Sequence, residues 1–273
     1  MTESTSPSPT GLPPLRELGT DLLQLRWRRR CISIALPFLF AAVYFACAFA
    51  GWWPAAVLAL IALSFVTYPS TSHDLVHRSL GLPSWANESL LCMIELLALR
   101  SGHSYRAGHL HHHARFPADD DIEGAAAKMK WPIALIDGVT LQMRIWWWAV
   151  RRASRERGWM IGEGLACLAL VAGSAILAIW TPVFLVYVAL MVAGSWLIPL
   201  ATSYIPHLPD GTDELSRTRA FRGHVASVIG LGHLYHLEHH LYPAVPHQNW
   251  RELAKRLDPH LDQAGVRPVR FWF

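Results

Sequence analysis

The chain has 273 residues, of which 52% are hydrophobic and only 16% charged, with a net charge of +4. That length suits one substantial domain or two small ones, and so little charge excludes an ordinary soluble protein. The positive balance does not read as nucleic-acid binding, because no basic-aromatic cluster accompanies it. Cys31, Cys47, Cys92 and Cys167 have neither metal nor redox spacing, so they are expected to pack in apolar surroundings with no disulfide framework.

In chain order, residues 1–20 are rich in Ser, Thr and Pro and are expected to be disordered, leaving 21–273 as a single membrane domain. No Asp, Glu, Lys or Arg occurs from Cys31 to His73, and none from Gly164 to Pro209. A spanning helix needs roughly 20 apolar residues, so each block is about two crossings long. "GWWP" (Gly51 to Pro54) interrupts the first block and "WTP" (Trp180 to Pro182) the second. Pro and interfacial Trp suit tight turns at a membrane surface. Four spanning helices are therefore predicted, over 32–51, 54–72, 162–180 and 183–205, paired as two hairpins. "AFA" (Ala48 to Ala50) resembles a signal-peptide cleavage site, but the apolar stretch is too long and the segment reads as a retained anchor.

All 24 Lys and Arg lie outside the two hairpin turns, with "RWRRR" (Arg26 to Arg30) and "RRASRER" (Arg151 to Arg157) flanking the first and third spans. The positive-inside rule puts both termini and the central loop in the cytoplasm, and the basic balance suits anionic lipid. Within the central loop, "ESLLCMIELLALRSG" from Glu88 and "WPIALIDGVTLQMRIWWWAV" from Trp131 are apolar but carry Glu88, Glu95, Asp137 and Arg144. Those charges predict helices lying in the interface rather than spans, with Trp146 to Trp148 at headgroup depth. "HQNWRELAKRLDPHL" in the tail predicts a polar helix packed beneath the spans. The resulting fold class is an all-α integral membrane protein, with four transmembrane helices in two hairpins and a cytoplasmic helical cap.

Three histidine clusters lie in the segments placed in the cytoplasm. His73 and His77 stand four apart in "HDLVH"; His109, His112 and His113 follow H-x-x-H-H in "HLHHH"; His236, His239 and His240 repeat it in "HLEHH". Residues at i, i+3 and i+4 project from one helix face, so each cluster is expected to aim its imidazoles at one spot. His111 faces away and is the expected non-ligand. Eight imidazoles exceed the ligands of one zinc and imply two metals, although imidazole suits Zn, Cu, Fe and Ni alike.

These boxes, in this order between two apolar blocks, resemble the membrane fatty acid desaturase family, which includes carotenoid hydroxylases and ketolases. The likeness is most detailed in "YHLEHHLYPAVPHQNWREL" and runs from about His73 to Gly265. It implies a non-haem di-iron centre, two Fe with O2 as co-substrate, ligated by His73, His77, His109, His112, His113, His236, His239 and His240. A ninth ligand in the family comes from the end of the fourth span, where "SYIPH" places His207. Acyl-CoA desaturases carry an Asn four residues earlier that acts through water; Ser203 stands there in this chain, which leaves that role open.

His233 is three residues before His236 and extends its face, while His103, His224, His247 and His260 read as surface histidines. The acidic run Asp119 to Asp121, and Asp74 and Glu238 inside boxes, are candidates to orient ligand imidazoles through the second ring nitrogen.

The resemblance implies an oxidoreductase that removes hydrogen from an unactivated C–H bond of a lipid chain. Fatty-acyl desaturation leads, with carotenoid ring hydroxylation or ketolation as the alternative favoured by the short chain and "SYIPH". Electrons are expected from a separate ferredoxin or cytochrome b5-type donor, since neither a G-x-G-x-x-G fingerprint nor a fused haem domain is found; Arg151 and Arg152 are candidate docking residues. A membrane zinc hydrolase is a distant alternative, because "HDLVH" has Asp where H-E-x-x-H needs its general base. A metal transporter fits less well, as its histidines belong within the spans.

Overall fold

A computed structural model describes residues 11–223 and 232–271. The chain divides into two units, Arg26–Ile205 and Met1–Leu25 with Pro206–Phe273, and the described residues are mostly helical.

In the N-terminal part, α1 (Leu15–Leu18) is followed by a 3-10 turn, Thr20–Leu23. The Arg26–Ile205 unit begins with α2 (Trp27–Phe49) and α3 (Trp53–Val66). Gly51 (φ +77°) takes the left-handed conformation in the turn between them, and Pro54 sits in the first turn of α3, where a missing N–H costs nothing. A π-helical turn, Thr67–Thr71, continues α3 into α4 (Ser72–Val76). Next come α5 (Ser84–Leu97), α6 (Gly102–Arg115), α7 (Trp131–Arg152), α8 (Arg157–Leu177) and α9 (Val183–Ser195). A second π-helical turn, Leu200–Tyr204, closes the unit.

Four stretches are long and apolar enough to cross a membrane: Thr20–Phe49, Trp53–Val76, Arg157–Leu177 and Val183–Tyr204. They overlap the four predicted spans, but α2 and α8 each start five residues earlier than the expected 32 and 162, and the second stretch runs on to Val76 instead of ending at 72. Their apolar side chains face outward, among them Ile32, Leu39, Leu58, Leu165, Leu168 and Ile176. Such a surface suits lipid rather than water, and helices satisfy their own backbone groups there.

α2 packs along α3, and both meet α9. Their shared core holds Tyr44, Leu60, Leu63, Tyr187 and Met191. Two hydroxyls are satisfied across it: Tyr44 donates to the Val183 carbonyl at 2.8 Å and Tyr187 to that of Leu97.

The charges in the two apolar loop stretches are paired at close range. Glu95 is fully buried against Arg100, whose Nε is 2.7 Å from Oε2. Arg144 reaches Asp137 two turns away on the same helix. Both stretches form helices as expected, α5 and α7.

On α7, a Cβ added at Gly138 would stand 2.1 Å from the Trp196 carbonyl oxygen. Backbone cannot give way as a flexible side chain can. Gly138→Ala is therefore expected to destabilise the protein by about 1–3 kcal/mol, read as a lower Tm in detergent; an unchanged Tm would contradict that close approach.

The other unit contains β1 (Phe221–Arg222), α10 (His236–Leu241), α11 (Trp250–Gln263) and β2 (Val269–Arg270), with β1 and β2 paired in parallel. Its core is Leu12, Leu18, Leu22, Leu237, Trp250, Leu253 and Leu257, among others. The predicted tail helix is thus present. Of the segment expected to be disordered, residues 1–10 lie outside the described residues, whereas 11–20 include α1 and are strapped to the tail. Arg256 on α11 grips both carboxylate oxygens of Asp21 at 2.8 Å and donates to the Leu18 carbonyl. The Tyr242 hydroxyl donates to Pro13, and Asn249 to Leu22 and Gln24. Buried Leu12 and Leu18, with Leu22 just after them, give the segment a core to join, which its Ser/Thr/Pro composition conceals.

Candidate metal centre

The Arg26–Ile205 unit brings four of the expected histidines together. His73 lies on α4, reached through the π-helical turn, and His77 caps its end. His109 and His113 lie one turn apart on α6. Each of the four offers a ring nitrogen within 4.8 Å of the others'. His109 Nε2 is 3.1 Å from the Nε2 of His73 and 3.1 Å from that of His113.

These spacings are those of ligands around one ion. Two nitrogens each roughly 2.1 Å from a metal stand about 3 to 3.4 Å apart at bond angles between square and tetrahedral. Carboxylates fix which nitrogen faces inward. Glu123 accepts from His109 Nδ1, with both oxygens at 3.1 Å, leaving the Nε2 lone pair toward the other histidines. Burial pushes the Glu123 carboxyl up, but the neighbouring His109 and His112 outweigh it and hold the group below its usual range. The residues present therefore fit a metal ion.

α6 is held firmly for this task. Ser101 caps its N-terminus, accepting from the Ser104 N–H. His103 is buried, with Nδ1 2.7 Å from Glu163 and Nε2 3.0 Å from Glu88, and its ring stacks on Trp159. This corrects its reading as a surface histidine: two carboxylates from α5 and α8 satisfy both ring nitrogens. Arg106 pairs with Glu88 and donates to the Leu75 carbonyl, which also accepts from Asn87. α4, α5 and α6 are thereby tied together beside His73. Burial raises the Glu88 carboxyl, yet Arg106, Arg78 and His103 together bring it below the usual carboxylate range.

The second unit forms its own cluster. His207 Nε2 lies 3.1 Å from His240 Nε2 and 3.3 Å from His236 Nε2, and the last two are 3.1 Å apart. A β-bridge to Thr218 and a hydrogen bond from Arg219 to the His207 carbonyl hold the loop that carries it. Inside the box, Glu238 is fully buried and pairs with Arg222, which also binds Asp258 on α11. Glu238 thus has a cation as its partner in place of the expected histidine. His239 packs against the buried Trp250, ring centroids 4.9 Å apart.

The expectation that each H-x-x-H-H box aims all three imidazoles at one spot needs correction. His112 is outside the cluster of His109 and His113, and His239 is outside that of His236 and His240. At 100° per residue, i+4 lies about 40° from i on one side and i+3 about 60° on the other. The first and last histidines of a box converge, and the middle one diverges. His112 is buried, with Nδ1 2.7 Å from Asp121.

His111 turns to Asp120 at 3.1 Å and to the Trp148 ring, outside either cluster. Of the acidic run, Asp121 orients a candidate ligand, Asp120 meets His111 and Asp119 pairs with Lys128. Asp74 and Ser203 are buried. His233 lies beside His236, ring to ring, but outside the clusters. His247 and His260 are half-buried, and His224 lies outside the described residues. Sequence reasoning missed Glu123, Glu163 and Arg106. Only Glu123 carries a signal, a carboxylate shortly after a histidine box.

Helices long and apolar enough to cross a membrane mark this as a membrane protein, and it carries two clusters of imidazoles that could hold metal ions. Residues 48–272 match the fatty acid desaturase family, and the chain belongs to that family. No curated protein matches it. Membership makes it an oxidoreductase that acts on lipid chains.

Proposed function

We propose that this protein is an O2-dependent, non-haem di-iron fatty-acyl desaturase of a membrane. The observation that carries this reading is the convergence of His73, His77, His109 and His113 in one unit and of His207, His236 and His240 in the other. One iron at each cluster, with His112 and His239 completing the ligand set, accounts for all nine histidines of the family pattern. Neutral imidazoles oriented by carboxylates suit iron, though not iron alone. Bound iron supplies the O2 activation that removes hydrogen from an unactivated C–H bond.

The chain's own residues bind and aim. Glu123 and Asp121 fix the tautomers of His109 and His112, while His103 and Arg106 hold α6 in place. The four apolar stretches pair as two hairpins, and the histidine boxes and both termini face the cytoplasm, since every Lys and Arg lies outside the two turns. Electrons come from a separate ferredoxin or cytochrome b5-type donor. Arg151 and Arg152 are exposed, each braced on a Trp ring (Trp147 and Trp148), and they suit docking of an acidic partner.

Carotenoid ring oxidation is the second reading, favoured by "SYIPH" around His207. Expression in a bacterium that makes β-carotene, together with the electron donor, separates the two. New unsaturated fatty acids with unchanged carotenoids are expected. Hydroxylated or ketolated carotenoids with an unaltered fatty-acid profile would overturn the desaturase in favour of the second reading.

A further inference from the structure

The carboxylate that orients His109 is itself held by a tyrosine from the π-helical turn of the second apolar stretch. Tyr68 donates its hydroxyl to Glu123 Oε1 at 3.0 Å, the same oxygen that stands 3.1 Å from His109 Nδ1. The Tyr68 ring stacks on Tyr105, centroids 4.3 Å apart, and lies beneath the Arg100 guanidinium at 4.9 Å. The Tyr105 hydroxyl donates to the Tyr68 carbonyl, and Arg100 is anchored by the buried Glu95. Tyr68, Tyr105, Glu123, Arg100 and Glu95 are all buried. So rigid a setting fixes one hydroxyl on one carboxylate oxygen, which packing alone does not require.

We propose that Tyr68 is a positioning residue for His109, acting through Glu123 to set how strongly that imidazole donates to its metal. This rests on the reading of His109 as an iron ligand. A carboxylate drawing on the Nδ1 proton makes an imidazole more electron-rich. The Tyr68 hydroxyl shares the carboxylate's charge and tempers that pull. Removing the hydroxyl should therefore strengthen donation from His109 and favour ferric iron. Neutralising Glu123 should weaken donation and favour ferrous iron.

The test is the midpoint potential and iron content of the purified, iron-loaded protein in four forms: wild type, Tyr68→Phe, Glu123→Gln and the double variant. Tyr68→Phe should lower the potential and Glu123→Gln should raise it. In the Glu123→Gln background the Phe substitution should add nothing, since the carboxylate it acts through is gone. Glu123→Gln should also weaken iron binding about 10-fold or more. A purely structural role would lower iron content in both single variants without opposed shifts.

Tyr68→3-fluorotyrosine keeps the shape and donates more strongly, so it should shift the potential opposite to Phe and serves where the Phe variant fails to fold. Unshifted potentials, shifts of the same sign, or a Phe effect that persists in the double variant would overturn the proposal. Wild-type protein that binds no metal at all would overturn the ligand reading beneath it as well. The two failures are thus distinguishable.

Discussion

His109→Ala should abolish turnover and empty one of the two clusters, while His111→Ala, two residues away, should keep most of both activity and metal. His109 is the hub of its cluster, with its Nε2 3.1 Å from those of both His73 and His113. Removing it deletes a ligand and leaves the buried Glu123 carboxylate without its imidazole partner, which costs more than the about 10–100-fold typical of losing an orienting group. His111 instead faces Asp120 and Trp148 on the other side of α6. The check is iron content and substrate oxidation, measured side by side on the two variants. Equal losses in both would mean that the helix faces are wrongly assigned.

His207→Ala should be as damaging as His240→Ala. The two nitrogens stand 3.1 Å apart and each lies 3.1–3.3 Å from His236, so either loss strips one corner from the triangle of nitrogens that would hold the ion. Iron should fall to about one per chain in both variants. The Arg219 bond and the Thr218 bridge use backbone atoms of His207 or lie beside it, so the loop should survive the substitution. A His207→Ala protein with full iron and activity would remove His207 from the ligand set and leave "SYIPH" as a mere loop.

The spans were legible because their signal is blunt: two charge-free blocks, each broken by Pro and Trp, overlap all four apolar stretches, although the first and third stretches begin earlier, among the flanking basic residues. The histidines were legible as a set, because three boxes at helical spacing rarely arise by chance. How each box divides was readable in principle from the 100° step, yet "one face" was too coarse to separate His112 from His113. The π-helical turns before His73 and before His207 carry no sequence signal that single-chain patterning detects. Glu163 was hidden because its partner, His103, is 60 positions away, whereas Glu123 follows the second box closely enough, 14 positions after His109, to have been noticed. Order in residues 11–20 was also missed, since it depends on Trp250 and Arg256 at the far end of the chain.

Elemental analysis of the protein purified from iron-replete cells tests the central claim most directly. Two histidine clusters, each with nitrogens spaced for one ion, predict about two irons per chain and little zinc. A single zinc per chain, or no metal in folded protein, would contradict it.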